Sequence, residues 1–279
     1  MAEKRARLVD FIQSREQLEI QYRDPKNLNA RAAIYRFARP GGRAWPEWVF
    51  DHFDLHPDAR VLEVGCGSGA LWKANVPRVP GGWHVTLTDL MRGMVLASRG
   101  AVGGDDRFRF AQVDATELPF AAGTFDAVVA NHMLYHVPDR PRAIAEIRRV
   151  LKPGGRLFAT TNSRDHLRPI GELIFTFLAG DEGSPVADES ELITFTLESG
   201  EAELRQAFRD VRIDRVSGEL AIPDVQPVVD YLLSVEGAPE KLVGQKMVQL
   251  RQVIADLVRD GGGAFRVPTA AGMFIAVRN

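Results

Sequence analysis

The sequence predicts an α/β fold: a mostly parallel sheet with helices on both faces and a helical cap over one edge. Three observations point to it. Short apolar runs recur at 60–64, 83–88, 108–113, 125–130 and 155–161, each followed by a turn or helical stretch, and strands alternating with helices build parallel sheets. Runs such as Ala127-Val128-Val129-Ala130 lack polar alternation, as expected of strands covered on both sides. A glycine-rich turn, Gly65-Cys66-Gly67-Ser68-Gly69, directly follows the first run, where open parallel sheets place their ligands.

Leu8, Phe11, Ile12, Leu18 and Tyr22 fall at roughly helical spacing, and Asp24-Pro25 breaks the helix they predict. A second helix is expected over Asn29 to Phe37, stopping before Pro40-Gly41-Gly42. A third, Pro46 to His52, starts with proline in a favourable first-turn position. After the five runs, further strands are expected at 211–217 and 271–277. Leu242, Val243, Met247, Leu250, Val253, Ile254 and Leu257 share one helical face, and Gly261-Gly262-Gly263 ends it. The expected organisation is a helical cap at 1–55 and a sheet domain at 56–279, with cap insertions at about 162–207 and 224–263. The first insertion holds the acidic stretch Asp181 to Glu191.

The chain's 279 residues are enough for a sizeable core. A net charge of −2 argues against a general nucleic-acid binder, which needs a basic field. One cysteine, Cys66, excludes an intrachain disulfide. Ile170 to Ala179 is the richest apolar stretch, too short for a membrane span and interrupted by Glu172. The N-terminus lacks a leader pattern, so a soluble, cytoplasmic protein is expected. Monomer and homodimer both remain open.

Glycine permits backbone angles and close approaches that a Cβ blocks, so the turn is a candidate ligand cradle. Its spacing does not choose the ligand. Gly65-x-Gly67-x-x-Ala70 also satisfies the dinucleotide fingerprint. Glu63, two residues before the first glycine, would repel a pyrophosphate and favour an ammonium or sulfonium. Asp89 ends the second run and can take both ribose hydroxyls, or cap the helix that follows. Asp114 ends the third and can accept from an adenine amine beside the Ala115 backbone, or be a plain turn aspartate.

Taken in order, Val61-Leu-Glu-Val-Gly-Cys-Gly-Ser-Gly69, Thr88-Asp-Leu90, Gln112-Val-Asp-Ala115 with Leu118-Pro119-Phe120, Phe125 to Asn131, and Leu151-Lys-Pro-Gly-Gly155 resemble the class I S-adenosylmethionine-dependent methyltransferases. The resemblance covers about residues 60–160. It implies a Rossmann-like seven-stranded sheet whose last strand is antiparallel, with S-adenosylmethionine as cofactor and methyl transfer to a small-molecule acceptor. It implies that Glu63 and the backbone of Gly65, Cys66, Gly67 and Gly69 hold the methionine portion and nearby ribose. By the same resemblance Asp89 binds the ribose, Leu90 and Met91 flank the adenosine, Asp114 and Ala115 bind adenine, and Asn131 lies near the transferred methyl. Leu28-Asn-Ala-Arg31, Trp45-Pro-Glu-Trp48 and Asn131-His-Met-Leu-Tyr-His136 look like features of one bacterial subgroup. A nicotinamide-dependent oxidoreductase and a cofactor-retaining protein that transfers no methyl are the alternatives.

Methyl transfer from a sulfonium needs alignment and exclusion of water, and a base only when the acceptor must lose a proton. His132, beyond the fourth strand, and His166, beyond the fifth, are the candidate bases. His132 and His136 have the spacing of a metal pair, but Met133 stands where a zinc-protease motif needs glutamate, so no metal is expected. Tyr22, Arg31, Trp45 and His136 are candidates for the acceptor pocket or its lid, since aromatic faces attract cations and enclose apolar acceptors.

Overall fold

The computed structural model describes residues 15–38, 43–178, 194–235 and 238–279. Leu8, Phe11 and Ile12 of the expected first helix, and the acidic stretch Asp181 to Glu191, lie outside them. The sheet comprises β1 (Arg60–Val64), β2 (His84–Asp89), β3 (Phe108–Gln112), β4 (Phe125–Asn131), β5 (Leu151–Asn162), β6 (Asp210–Ile222) and β7 (Phe265–Val277). Its order is β3-β2-β1-β4-β5-β7-β6. The first five strands pair in parallel, and β7 runs antiparallel to both β5 and β6.

Strand periodicity sorts neighbouring residues onto opposite faces. Leu62, Val128, Leu157 and Phe274 face one core, shared with Ile144 and Ile147 of α6 (Arg140–Val150) and Leu204 of α8 (Gly200–Leu204). Val61, Ala127, Val129 and Phe158 face the other, shared with Val49 and Phe50 of α3 (Trp45–Phe50) and Leu71 and Trp72 of α4 (Ala70–Asn75). α8 and α3 thus pack on opposite faces of the sheet. The expected cap segments 1–55 and 162–207 therefore each end in a piece of domain core, because Val49, Phe50, Phe53 and Leu204 supply apolar surface the sheet buries.

A third core lies beyond the sheet's end. β6 and β7 pair along their whole length, from Asp210↔Val277 to Ile222↔Phe265. They outrun the expected 211–217 and 271–277 because Gly218 and Pro268 read as strand breakers. Pro268 lies past the last β5–β7 pair, Asn162↔Ala271, where β7 pairs on one side only, a position that tolerates a missing N–H. Leu220, Ile222, Phe265 and Val267 on this ribbon pack against α7 (Arg168–Leu178), α9 (Val225–Leu233), Ala238 of α10 (Ala238–Lys241) and α11 (Gly244–Asp260).

The N-terminal helices α1 (Arg15–Tyr22) and α2 (Lys26–Ala33) reach across the carboxyl ends of the strands. Leu18, Tyr22 and Leu28 pack on Leu90, Met91 and Met94 at the start of α5 (Arg92–Val102). Gln21 donates to the Ser234 carbonyl at 3.2 Å beyond α9. A 3₁₀ turn, Ile34–Phe37, follows α2; Ile34 is 1% exposed and Ala38 bridges to Leu220. No helix among the described residues is long and apolar enough to cross a membrane.

Candidate functional site

The glycine turn leaves β1 at the sheet's carboxyl edge. Gly65, Gly67 and Gly69 all adopt left-handed angles, with φ of +66°, +54° and +75°, a region costly for other residues. A Cβ on Gly65 would lie 2.7 Å from Met133 Cβ, and one on Gly69 2.9 Å from Ser98 Cα. The Gly67 position faces Leu28 of α2, whose Cδ2 would lie 3.2 Å from an added Cβ. The N-terminal helices therefore lie directly over this turn.

Asp89 ties the turn to β2. One carboxylate oxygen accepts from the Gly67 amide at 2.9 Å, the other from the Met91 amide at 2.8 Å. A carboxylate offers about four lone-pair sites, so both oxygens can still take ribose hydroxyls. Burial pushes the Asp89 carboxyl above its ordinary range, opposed by the Met91, Gly67 and Leu90 amides. Asp89 does not cap α5: Met91 occupies that position, without a side-chain bond. Asp114 is exposed at the end of β3 and accepts from the Thr116 amide at 2.8 Å and its hydroxyl at 2.7 Å. Ala115 lies half-buried beside it. Leu90 is half-buried, while Met91 is 8% exposed, closed in by Leu18 and Met94.

Glu63 departs from expectation. It is 1% exposed and accepts from the Trp72 indole at 2.6 Å. Its carboxyl thus braces the turn from below rather than being presented to a ligand. Burial raises its pKa to about 8, against the Trp72 hydrogen bond, so near neutrality it is mostly uncharged. Repulsion of a pyrophosphate therefore cannot rest on Glu63. Cys66 is likewise enclosed, and burial drives its thiol well up, so it is no nucleophile.

Beyond the turn, the ends of β4 and β5 and the N-terminal helices enclose a group of aromatic and polar side chains. Asn131 Oδ1 accepts from Thr160 at 2.7 Å and from the Trp45 indole at 3.3 Å. His132 has φ of +53°, and its amide bonds to Thr160 Oγ1 at 3.0 Å. Its ring lies 4.9 Å from that of Trp45. The His132 ring nitrogens have no hydrogen-bond partner among the described residues, and none is sealed from solvent. They line open space. Burial lowers the His132 pKa to about 3, with His166 and His136 adding to the shift. It is neutral at physiological pH, and a base that weak removes protons poorly.

His136 and Tyr22 meet at 2.8 Å, and Arg31 donates to the Tyr22 oxygen at 3.2 Å. Burial and then the Arg31 charge hold His136 at about 3. Tyr22, Arg31 and His136 thus converge, although 114 positions separate Tyr22 from His136. His166 is fully engaged: Nδ1 accepts from the Ala270 amide at 3.1 Å and Nε2 meets the Tyr35 hydroxyl at 2.7 Å. Burial lowers its pKa to about 4. Neither candidate base titrates near neutrality.

Tyr35, an aromatic of the N-terminal segment that could line the cap, joins the site, as do Tyr135 and Thr160, which were not singled out. Tyr35 is 42% exposed, with its hydroxyl on His166. Tyr135 is raised by burial and feels Tyr22, Arg31 and Tyr35. The aromatic character of Tyr35 and Tyr135 was visible in sequence, but the pairing of Tyr35 with His166 across 131 positions was not. Among the described residues no group of three or more His, Cys, Asp or Glu is placed to share a metal ion.

A parallel sheet completed by an antiparallel β7, with a glycine turn at β1, is a Rossmann-like architecture. Residues 62–159 match the family described as a methyltransferase domain. That segment spans about a third of the chain, and over it the sequence is similar to methyltransferase domains. It is 31% identical over 167 residues to the ubiquinone/menaquinone biosynthesis C-methyltransferase UbiE of Vibrio cholerae, covering 56% of this chain and 63% of that protein. The chain thus spans less than two thirds of that relative. Methyltransferase GfsG of Streptomyces halstedii is 36% identical over 121 residues, 42% of each chain. Among solved structures, the [4+2]-cyclase SpnF superposes with a TM-score of 0.57 at 19% identity, over 93% of this chain and 95% of that one. Phosphoethanolamine N-methyltransferase 2 of Haemonchus contortus, in complex with S-adenosyl-L-methionine, gives 0.56 at 19% identity, over 96% of this chain and 59% of that one.

Proposed function

We propose that this protein transfers the methyl group of S-adenosylmethionine to a small-molecule acceptor. The observation that carries the proposal is the cradle of three left-handed glycines at the end of β1, pinned to Asp89 and roofed by α1 and α2. The backbone of Gly65 to Gly69 holds the methionine portion, Asp89 the ribose hydroxyls, and Asp114 with Ala115 the adenine. Leu90 and Met91 flank the adenosine, and Asn131 stands toward the reacting methyl. Bound there, S-adenosylmethionine supplies an activated sulfonium methyl. The chain's own contribution is to align the acceptor and keep water out.

The residues at the ends of β4 and β5 form the acceptor side. His132, His136 and His166 are all neutral near pH 7, which suits an acceptor that attacks without a protein base. His132 walls the pocket with Trp45, while Tyr22, Arg31 and His136 tie the N-terminal helices to it. The domain organisation that follows is a cap of α1, α2, α7, α9 and α11 over a Rossmann-like domain. The cytoplasm is its proposed location, and small-molecule metabolism its setting. A quinone precursor is the first acceptor to try, since quinone biosynthesis appears in the name of the UbiE relative.

Calorimetry with S-adenosylmethionine, S-adenosylhomocysteine and NADH tests the reading. Binding of the first two, and not of NADH, is expected; the reverse pattern overturns it in favour of a nicotinamide enzyme. The lowered pKa values of His132 and His166 also fit a cofactor-retaining protein that transfers no methyl. Release of S-adenosylhomocysteine in the presence of an acceptor separates the two.

A further inference from the structure

Two tyrosine–histidine pairs flank the acceptor side, and their surroundings differ. In the first, the Tyr22 oxygen accepts from Arg31 at 3.2 Å and meets His136 Nε2 at 2.8 Å. Tyr22 is thus engaged on both sides within the protein. In the second, the Ala270 amide donates to His166 Nδ1 at 3.1 Å. A neutral imidazole that accepts at Nδ1 carries its proton on Nε2. His166 therefore donates to the Tyr35 oxygen at 2.7 Å, and the Tyr35 hydrogen remains available to a third group.

We infer that the Tyr35 hydroxyl is the donor that selects an oxygen-bearing acceptor, with His166 acting as its positioning residue. The inference deepens the methyltransferase reading and rests on it. Several features hold Tyr35 in place for this role. It sits on the short turn Ile34–Phe37, anchored by fully buried Ile34 and by the bridge from Ala38 to Leu220. His166 is held by extension of the β5–β7 ladder: the Ser163 amide donates to the Ala270 carbonyl at 2.9 Å, and the His166 ring returns the bond from the Ala270 amide. The rings of Tyr35 and His166 stack, with centroids 6.1 Å apart.

A hydroxyl with only its hydrogen to offer recognises a lone pair, as on a carbonyl, phenolate, enolate or carboxylate oxygen. The charge that acts on Tyr35 and on His136 is that of Arg31, which favours an electron-rich oxygen and disfavours an ammonium. The acceptor class is therefore an oxygenated molecule, neutral or anionic, that presents such an oxygen to Tyr35.

Nitrogen-15 NMR of histidine-labelled protein, with and without S-adenosylhomocysteine, tests the arrangement without any acceptor. His166 is expected to carry its proton on Nε2 from pH 5 to 8, in the wild type and in Tyr35→Phe. A proton on Nδ1, or titration of His166 near pH 6.5, overturns the inference. Methyl transfer is then measured against reduced demethylmenaquinone, simple phenols, aromatic carboxylates and primary amines. Oxygenated acceptors are expected to be used, with Tyr35→Phe raising their KM roughly ten- to a hundredfold. The S-adenosylhomocysteine Kd should stay within about twofold, as the lost bond is on the acceptor side. His166→Gln should raise the same KM, and the double variant should be no worse than Tyr35→Phe. An unchanged KM in Tyr35→Phe, additive losses, or use of amines alone overturns the inference. A wild type that binds no S-adenosylhomocysteine removes the functional reading instead, and the tautomer still decides the pair.

Discussion

Asp89→Ala separates what the site's acid does for the fold from what it does for a ligand. The Asp89 carboxylate accepts two backbone amides, Gly67 at 2.9 Å and Met91 at 2.8 Å. Truncation leaves both amides without that acceptor. Orphaning a buried donor costs roughly 1–3 kcal/mol, and the site is half-buried, so water satisfies part of the need. A stability loss of about 2–3 kcal/mol is expected in urea melts. Ligand binding loses the ribose hydrogen bonds as well, another 1–3 kcal/mol, or roughly a five- to 150-fold weaker S-adenosylhomocysteine affinity by calorimetry. Asp89→Asn keeps one acceptor and turns its amide toward the other partner, so it should fall between the two. A folded Asp89→Ala protein that binds S-adenosylhomocysteine like the wild type would refute the assignment of Asp89 to the ribose. Unchanged stability would refute its role in holding the turn.

Further outcomes are expected. Gly65→Ala combines a left-handed φ with a Cβ 2.7 Å from Met133 Cβ, whereas Gly154→Ala has the left-handed φ and nothing within 4 Å. Denaturation should show about 2–5 kcal/mol lost for the first and about 1–2 for the second, and equal losses would dismiss the Met133 contact. His132, His136 and His166 have pKa values lowered to about 3, 3 and 4, so the native state binds fewer protons than the unfolded chain below pH 6.5. Their stabilisation is complete above about pH 6.5 and falls on acidification by up to about 1.4 kcal/mol per pH unit for each group. Glu63, raised to about 8, has the opposite sign: its contribution is full below its unfolded pKa and is lost as pH rises through about 8. Glu63→Gln, which still accepts from Trp72, should flatten the alkaline decline in melting temperature; an unaltered decline counts against the buried carboxyl as its source. His132→Asn tolerates the left-handed backbone and should leave the shape of the pH–rate profile between pH 6 and 9 unchanged. Loss of an inflection near pH 6–7 in that variant would restore His132 as a base.

The local code was enough for the strand ladder and the cradle. Runs such as Val61-Leu62 and Ala127-Val128 alternate between two cores, and that burial on both faces is written directly in uninterrupted apolar residues. Gly65, Gly67 and Gly69 announce left-handed backbone because only glycine adopts it cheaply. Asp89 was legible because its place at the end of β2 follows from strand length alone. What the sequence could not decide was charge. Glu63 reads as an anion, yet enclosure beside Trp72 leaves it largely protonated. His132 and His166 read as neutral-range bases, yet desolvation makes both too weak. A side chain's ionisation depends on the dielectric and dipoles around it, and those come from residues distant in sequence. The acceptor side has the same origin: Tyr22 meets His136, and Tyr35 meets His166, only after the N-terminal helices fold back across the strand ends. The sequence by itself determined the sheet, the glycine turn and the acid that braces it. Tertiary structure alone decided which groups carry charge, which tyrosine keeps its hydrogen to offer, and where the long β6–β7 ribbon holds the cap, because each depends on contacts that no local pattern encodes.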